Sequence, residues 1–299
     1  MKKLFFLPVL LCTQLIFSQK IVIADTINKS PIAFATIKYN KTNGDYSNPK
    51  GIIDLSQVSF DTLEISHMGY NTVKIPKLQV TDTIYLTPHA TQLESVTVKA
   101  KTDEQITFKP LKKSSLWKSC ILTPKLELCA LVYPKPEYQD YYLDIVSFSF
   151  YNDIGKNDIK KNHGEIDALI RINIYHNNKG KLGEQIYSST PIKINSIEKD
   201  EIEHDISSLM LKATLDGYWF TLEMLGYYSN NNEVTIDGIP SVRPRLTQKE
   251  SKFCKVETYH KYVFNENDNY KHIDEVLKIG GFYGENEHRY LSIGFTISK

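Results

Sequence analysis

From Lys20 to Ala100 the sequence is cut into short runs in which apolar and polar residues alternate, each closed by a turn signal. Successive side chains of a strand point to opposite faces, so such a run buries one face and leaves the other in water. Ile21-Val22-Ile23 opens the series. Ala33, Ala35, Ile37 and Tyr39 share one face of the next run, and Asn43-Gly44 behind it is a hairpin-turn signal. Gly51 to Leu55, Thr62 to Ser66 (Leu63 and Ile65 inward), Asn71 to Ile75, Thr83 to Leu86 and Ser95 to Val98 follow. About seven strands in about 80 residues is the spacing of a small β-sandwich.

The remainder continues the theme on a larger scale. Residues 101–116, which include Lys101, Asp103, Glu104, Lys112 and Lys113, are polar and predict a linker. A second unit begins at Trp117. Leu143-Asp144-Ile145 and Phe148-Ser149-Phe150 predict one long strand with a register break. Ala168, Ile170, Ile172 and Ile174 share one face, with Arg171 and Asn173 opposite. Ile192 to Ile194, Trp219 to Leu225, Tyr259 to Phe264, Leu277 to Phe282 and Tyr290 to Ile297 complete the runs. No i, i+3, i+4 apolar pattern lasts long enough to predict a helix. The expected fold class is all-β, with a β-sandwich over 20–100 and a larger antiparallel β-sandwich, jelly-roll-like, over 117–299.

Met1-Lys2-Lys3 is a basic start, and Leu4 to Phe17 carries no charge. That run is too short for a bilayer-spanning helix, which needs about 20 apolar residues. With the small Ser18 behind it, the pattern predicts a secretory signal over 1–19. No later apolar run is long enough to predict a transmembrane span. Lys and Arg total 36 against 35 Asp and Glu, a net charge of +1, and loss of Lys2 and Lys3 makes it −1. Such a balance excludes the basic field expected of a nucleic-acid binder. Cys12 leaves with the signal, and Cys120, Cys129 and Cys254 remain. An odd number implies a free thiol or an intermolecular bond. Cys120 and Cys129 could face each other across a hairpin, or all three thiols could serve as small buried hydrophobes; their pairing stays open.

Several stretches carry a family resemblance. Asp25 after the first strand, Ser30-Pro31-Ile32-Ala33-Phe34-Ala35-Thr36-Ile37, Gly51-Ile52-Ile53-Asp54-Leu55, Leu63-Glu64-Ile65-Ser66-His67-Met68-Gly69-Tyr70, and Leu86 with Leu93-Glu94-Ser95-Val96-Thr97-Val98 occur in order. Together they resemble the carboxypeptidase regulatory-like domain, a transthyretin-like β-sandwich common at the N-terminus of exported Bacteroidota proteins. Gly69-Tyr70 is the most specific piece. The usual glycine early in the first strand is absent, and Asn48-Pro49-Lys50 replaces the usual Thr-Asp before the turn glycine. Arg171 to Tyr175, Gly180-Lys181-Leu182-Gly183 and Asp216 to Phe220 are similar to the jelly-roll domains that follow it in such proteins, with Leu182 where a proline is usual. The resemblance implies an exported protein of the periplasm, outer-membrane surface or extracellular space.

Catalytic motifs are scarce. None of the eight histidines sits in His-Glu-x-x-His or His-x-x-Glu, so the zinc-peptidase pattern has no ligand set. Glu165 and Asp167 resemble the start of a laminarinase-like catalytic strand, but Leu169 and Ile170 stand where the further glutamate belongs. Glu201, Glu203 and Asp205 alternate and would share one strand face, where three carboxylates suit Ca²⁺ or simply water. No serine-hydrolase elbow and no Gly-rich nucleotide loop occurs. No cofactor and no metal site is expected.

Nineteen tyrosines are the remaining signal. Tyr138 and Tyr141 lie beside Pro134 and Pro136, and Tyr227 and Tyr228 precede Ser229 and three asparagines. All four read as loop residues able to stack on a sugar or peptide. The expected function is an exported, non-catalytic binding or surface-assembly protein whose partner is a glycan, a peptide or another envelope protein. The alternative is a glycosidase-like or peptidase-associated hydrolase of the cell envelope.

Overall fold

Among the described residues seven strands build the first unit: β1 (Lys20–Asp25), β2 (Thr36–Lys38), β3 (Gly44–Tyr46), β4 (Ile52–Asp54), β5 (Thr62–Ser66), β6 (Val73–Pro76) and β7 (Thr83–Leu86). In this computed structural model the described residues are 20–89, 104–111, 120–151, 167–194, 200–228, 234–235, 242–265, 270–279 and 288–299. The expected secretory signal 1–19, the expected strand Ser95 to Val98, the asparagines 230–232 and Glu165 lie outside them. One sheet has the order β4-β1-β7, with β1 and β7 parallel; the other has the order β3-β2-β5-β6 and is antiparallel. Ile21, Ile23 and Ile84 face Ile37, Leu63 and Ile65 in the core between them. The alternation in each run is what allows this, because every strand has one apolar face to bury. Tyr70 acts as a strut: its hydroxyl donates to Asp25 Oδ2 at 2.9 Å, while Asp25 Oδ1 accepts the Ile27 and Asn28 amides.

The second unit is a larger sandwich. Its strands are β8 (Gln105–Phe108), β9 (Leu126–Pro134), β10 (Tyr142–Ser149), β11 (Ala168–Asn178), β12 (Lys181–Ser188), β13 (Ile192–Ile194), β14 (Glu201–Asp205), β15 (Tyr218–Tyr228), β16 (Val234–Thr235), β17 (Leu246–Thr247), β18 (Cys254–Tyr262), β19 (Lys271–His272), β20 (Tyr290–Leu291) and β21 (Ile293–Ser298). A four-stranded sheet, β14-β10-β21-β8, packs against a sheet ordered β12-β11-β15-β9-β18-β19, to which β13 and β16 are added. Phe148 and Phe295 meet Ile172, Phe220 and Leu222 in the core, and the Phe220 and Phe295 rings cross edge to face at 5.1 Å. The all-β expectation holds. So does the single long strand with a register break: β10 is continuous and carries its irregularity between Leu143 and Ile145.

Three local expectations change. Residues 105–108, read as linker, form β8 and pair antiparallel with Phe295–Ser298. They are polar at every second position, as an edge strand with one wet face must be. Of the rest of the expected linker, 101–103 and 112–116 lie outside the described residues. Leu277 begins no strand. Ile273–Ile279 is a short helix, α1, whose first-turn Asp274 accepts the Arg289 amide at 3.0 Å. Gly44 is not in the hairpin turn but is the first residue of β3. The turn is built by Asn40, whose Oδ1 accepts the Thr42 and Asn43 amides at 2.9 Å each.

Gly44 is glycine for a different reason. A methyl there would lie 2.1 Å from Cδ1 of Phe264, which comes from the second unit. The two sandwiches meet along β3. Phe34, Tyr46, Leu169, Leu225 and Phe264 form one apolar cluster across the junction, and Lys125 Nζ bridges to Asp45 Oδ2 at 3.1 Å.

Cys120, Cys129 and Cys254 form no disulfide with one another, so the hairpin pairing of Cys120 with Cys129 is not made. Cys129 and Cys254 are fully buried, and burial pushes the Cys254 thiol up to about 12 and the Cys129 thiol well above its usual value. The thiolate is the reactive form. Iodoacetamide near pH ~8 should therefore leave both unmodified in the folded protein and label both in urea. Rapid native labelling of either one would contradict this burial.

Candidate functional site

The outer face of the large sheet, toward the first unit, carries charge where a solvent-facing sheet would carry scattered polar groups. Strand register puts Lys261, Glu127, Glu223 and Arg171 side by side across β18, β9, β15 and β11. They form a row of signs plus, minus, minus, plus. Cross-strand neighbours stand about 4.5–5.5 Å apart, so the two carboxylates must be compensated. Arg171 closes a two-point fork on Glu223, Nε to Oε2 and Nη2 to Oε1, both 2.9 Å. Asn173 Nδ2 donates to Glu223 Oε2 at 2.9 Å and to Glu127 Oε1 at 3.4 Å. Thr221 Oγ1 donates to Glu127 Oε1 at 2.5 Å, and Lys261 Nζ lies 3.5 Å from Glu127 Oε2.

The first unit completes the network. Tyr46 on β3 donates its hydroxyl to Glu223 Oε1 at 2.6 Å, and Arg171 Nη1 donates to the Phe34 carbonyl at 3.2 Å. Glu127, Arg171, Asn173, Thr221 and Glu223 are all buried. Burial alone would push the Glu223 carboxyl up. The Arg171 guanidinium, with the hydrogen bonds from Arg171, Tyr46 and Asn173, more than offsets it and holds Glu223 below its usual range. The Tyr46 phenol is pushed well up, first by burial and then by Glu223, so it stays a donor.

Beside this network opens a cleft of about 620 Å³. His67 to Tyr70 of the first unit form one wall; Tyr175, His176 and Gln185 of the second form the other; the charged row is the floor. Gln185 Nε2 and Ser188 Oγ both donate to Asn173 Oδ1, at 3.1 and 2.8 Å. Burial pushes the His67 imidazole below its ordinary value, helped by the like charge of Arg171. It is therefore neutral at pH 7, and its Nδ1–H donates to the Met68 carbonyl at 2.9 Å. The cleft is polar, with a charge-compensated floor ringed by amide, phenol and imidazole groups and by the charges of Lys38 and Glu184.

Of the four tyrosines singled out from the sequence, Tyr138, Tyr141 and Tyr227 do not line this cleft. Tyr138 sits in a 3₁₀ turn, Pro136–Tyr138, half-buried against Phe108 and Phe253 at 5.3 and 5.4 Å. Tyr141 packs on it at 5.9 Å and donates to Glu104 Oε1 at 2.9 Å. These two are together, but they brace the end of β8. Tyr227 and Tyr228 are not loop residues: β15 runs through both. Tyr227 is buried in the sandwich core at 1% exposure, so it is not available to a ligand. The cause is a bulge. The register with β11 slips between Leu169 and Ile170, so Leu225 and Gly226 together oppose Leu169. The alternation shifts by one, and the Tyr227 ring turns inward. Glu201, Glu203 and Asp205 do lie along one strand, β14, with Glu203 and Asp205 exposed to solvent. Among the described residues no three His, Cys, Asp or Glu side chains converge as a metal site. Asp167 is paired with Lys193.

No family profile, curated protein or solved structure matches this chain.

The functional reading therefore rests on the cleft itself. Glu127, Arg171, Glu223 and Lys261 were not singled out as site residues from the sequence, yet three of them carry a visible signal. Each of Glu127, Arg171 and Glu223 is a lone charge between two apolar neighbours in an apolar run. A charge so placed must face a partner across the strand or a covered polar site.

Proposed function

We propose that this is an exported, non-catalytic binding or surface-assembly protein of the carboxypeptidase regulatory-like class, holding an uncharged stretch of glycan or peptide in the cleft between its two sandwiches. The export segment and the ordered motifs from Asp25 to Val98 support the cellular part of this reading. One observation carries the binding part: the floor of the cleft is a buried row whose charges cancel, with donors and acceptors left on the walls. On that floor a charged ligand would gain no free counter-ion. Hydroxyls and amides would find Gln185, His67, His176 and Tyr175 as partners, and each hydrogen bond would contribute about 0.5–1.5 kcal/mol. Several must act together for useful affinity.

A glycan and peptide array probed with the full chain tests this. Binding by one of the two classes is expected, and Gln185→Ala and His176→Ala should each weaken it by roughly three- to tenfold. Binding that both variants leave unchanged would move the site elsewhere. No binding at all would favour the assembly role, with another envelope protein as partner.

One feature favours the rival hydrolase. Glu127 and Glu223 are direct cross-strand neighbours at the bottom of a cleft, and retaining glycosidases work with two carboxyls about 5–5.5 Å apart. Against it, Glu223 is held in its ionised form and fully engaged by Arg171, Tyr46 and Asn173. Hydrolysis of any array ligand that Glu127→Gln abolishes would restore the hydrolase reading.

A further inference from the structure

A second concavity, away from the cleft, has a different chemistry. It is a groove of about 350 Å³ between β8, β17, the start of β18 and the β20–β21 segment. Phe108, Leu111, Val256, Leu291 and Ile293 give it an apolar floor and side. Leu291, Val256 and Ile293 belong to the sandwich core, and Phe108 is backed by the rings of Tyr138 and Phe253. Leu111 is 38% exposed at the mouth. Among the described residues the rim carries Lys109, Lys249, Lys252 and Lys255 against a single carboxylate, Glu250. All four lysines are exposed. Lys255 is held by Glu257 at 2.7 Å, whereas among the described residues no ion pair engages Lys109, Lys249 or Lys252.

We infer that this groove is a binding site for a small amphipathic anion, an acyl chain ending in a carboxylate or phosphate. The apolar floor takes the chain, because burying it removes apolar surface from water on both partners. The lysine rim takes the head group, and the rigid aromatic backing keeps the floor preformed. The volume is at the lower end for small-ligand pockets, which begin at about 300 Å³. It suits one medium-length chain. The inference is independent of the cleft.

The same chemistry could come from a free acyl anion or from a lipid in a bilayer, and the experiment separates them. Titration calorimetry of the full mature chain with dodecanoate, kept below its micelle concentration, should give saturable one-to-one binding. Dodecanol and dodecyltrimethylammonium, which keep the chain and lose or reverse the head charge, should not bind. Lys249→Glu with Lys252→Glu, both at exposed positions, should weaken dodecanoate by roughly tenfold or more, and so should Leu111→Glu. Added salt should weaken binding in the wild type. Flotation with anionic phospholipid vesicles, in addition, would assign the source to a membrane lipid; dodecanoate binding without flotation would assign it to a free anion. The proposal is overturned if dodecanoate does not bind, if dodecanol binds equally, if the charge-reversed variant is unchanged, or if vesicles bind and dodecanoate does not.

Discussion

Replacing Arg171 by methionine should destabilise the protein by about 3–5 kcal/mol, the usual cost of taking one partner from a buried ion pair. Arg171 makes both arms of the fork on Glu223 and also reaches the Phe34 carbonyl of the other sandwich. Without it, Glu223 stays buried beside Glu127 with only Tyr46 and Asn173 as donors. The loss should depend on pH with a definite sign. In the wild type the folded value of Glu223 is depressed below its ordinary 4.5, so its contribution is complete above that pH and is lost as pH falls through the folded value. In the variant the guanidinium no longer opposes burial, and the folded value rises above the unfolded one. The penalty then grows as pH rises and vanishes below the unfolded value, where the carboxyl is protonated in both states. Urea denaturation should therefore give a large difference between the two proteins near neutrality and a smaller one near pH ~4. A second variant, Arg171→Met with Glu223→Leu, should recover part of the stability, because a buried pair replaced by apolar groups is often tolerated. An Arg171→Met loss that is equal at both pH values would show that lost packing, not charge, is responsible.

The second large effect concerns the junction. Phe264→Ala should cost about 3–5 kcal/mol, although the residue lies just past the last paired residue of β18. Its ring is 3% exposed and packs at 5.1 Å from Tyr46 across the two sandwiches, with Lys125 Nζ at 5.8 Å from its centroid. Removing it leaves a cavity that neither unit can close alone. A double-mutant comparison makes the assignment specific. Gly44→Ala in the wild type places a methyl 2.1 Å from the Phe264 ring and 2.5 Å from the Ile37 carbonyl, and the overpacking should cost about 1–3 kcal/mol. In the Phe264→Ala background the ring contact is gone and only the Ile37 contact remains, so the same methyl should cost less. Strict additivity of the two losses would show that the ring and the glycine are not coupled.

What could be read from the sequence was the part set by local alternation. Ala168, Ile170, Ile172 and Ile174 declare a buried face because the period is two, and no distant information is needed. β10 was legible for the same reason, irregularity included. Tyr227 was misread because the asparagines behind it say nothing about a bulge at Leu225, which depends on the partner strand. α1 was missed because a helix of seven residues offers fewer than two turns of pattern. β8 was missed because an edge strand needs little apolar content. The charged row depends on register among four strands, from Glu127 to Lys261, and register is set by packing between faces that only the folded sheet brings together. Its members were nonetheless visible singly, as the isolated charges in Leu126-Glu127-Leu128, Ile170-Arg171-Ile172 and Leu222-Glu223-Met224.

That row has a consequence for how a ligand arrives. Two positive ends flanking two negative centres carry no net charge, and their near mirror symmetry cancels most of the dipole as well. What remains is a quadrupole, whose potential dies away within a few ångströms, well inside one Debye length of about 8 Å at physiological salt. The floor of the cleft therefore cannot steer anything through solution. It acts only on a molecule already seated, by matching the order of donors and acceptors along one short line, so that encounter is left to diffusion and selectivity is expressed in how slowly the right occupant leaves.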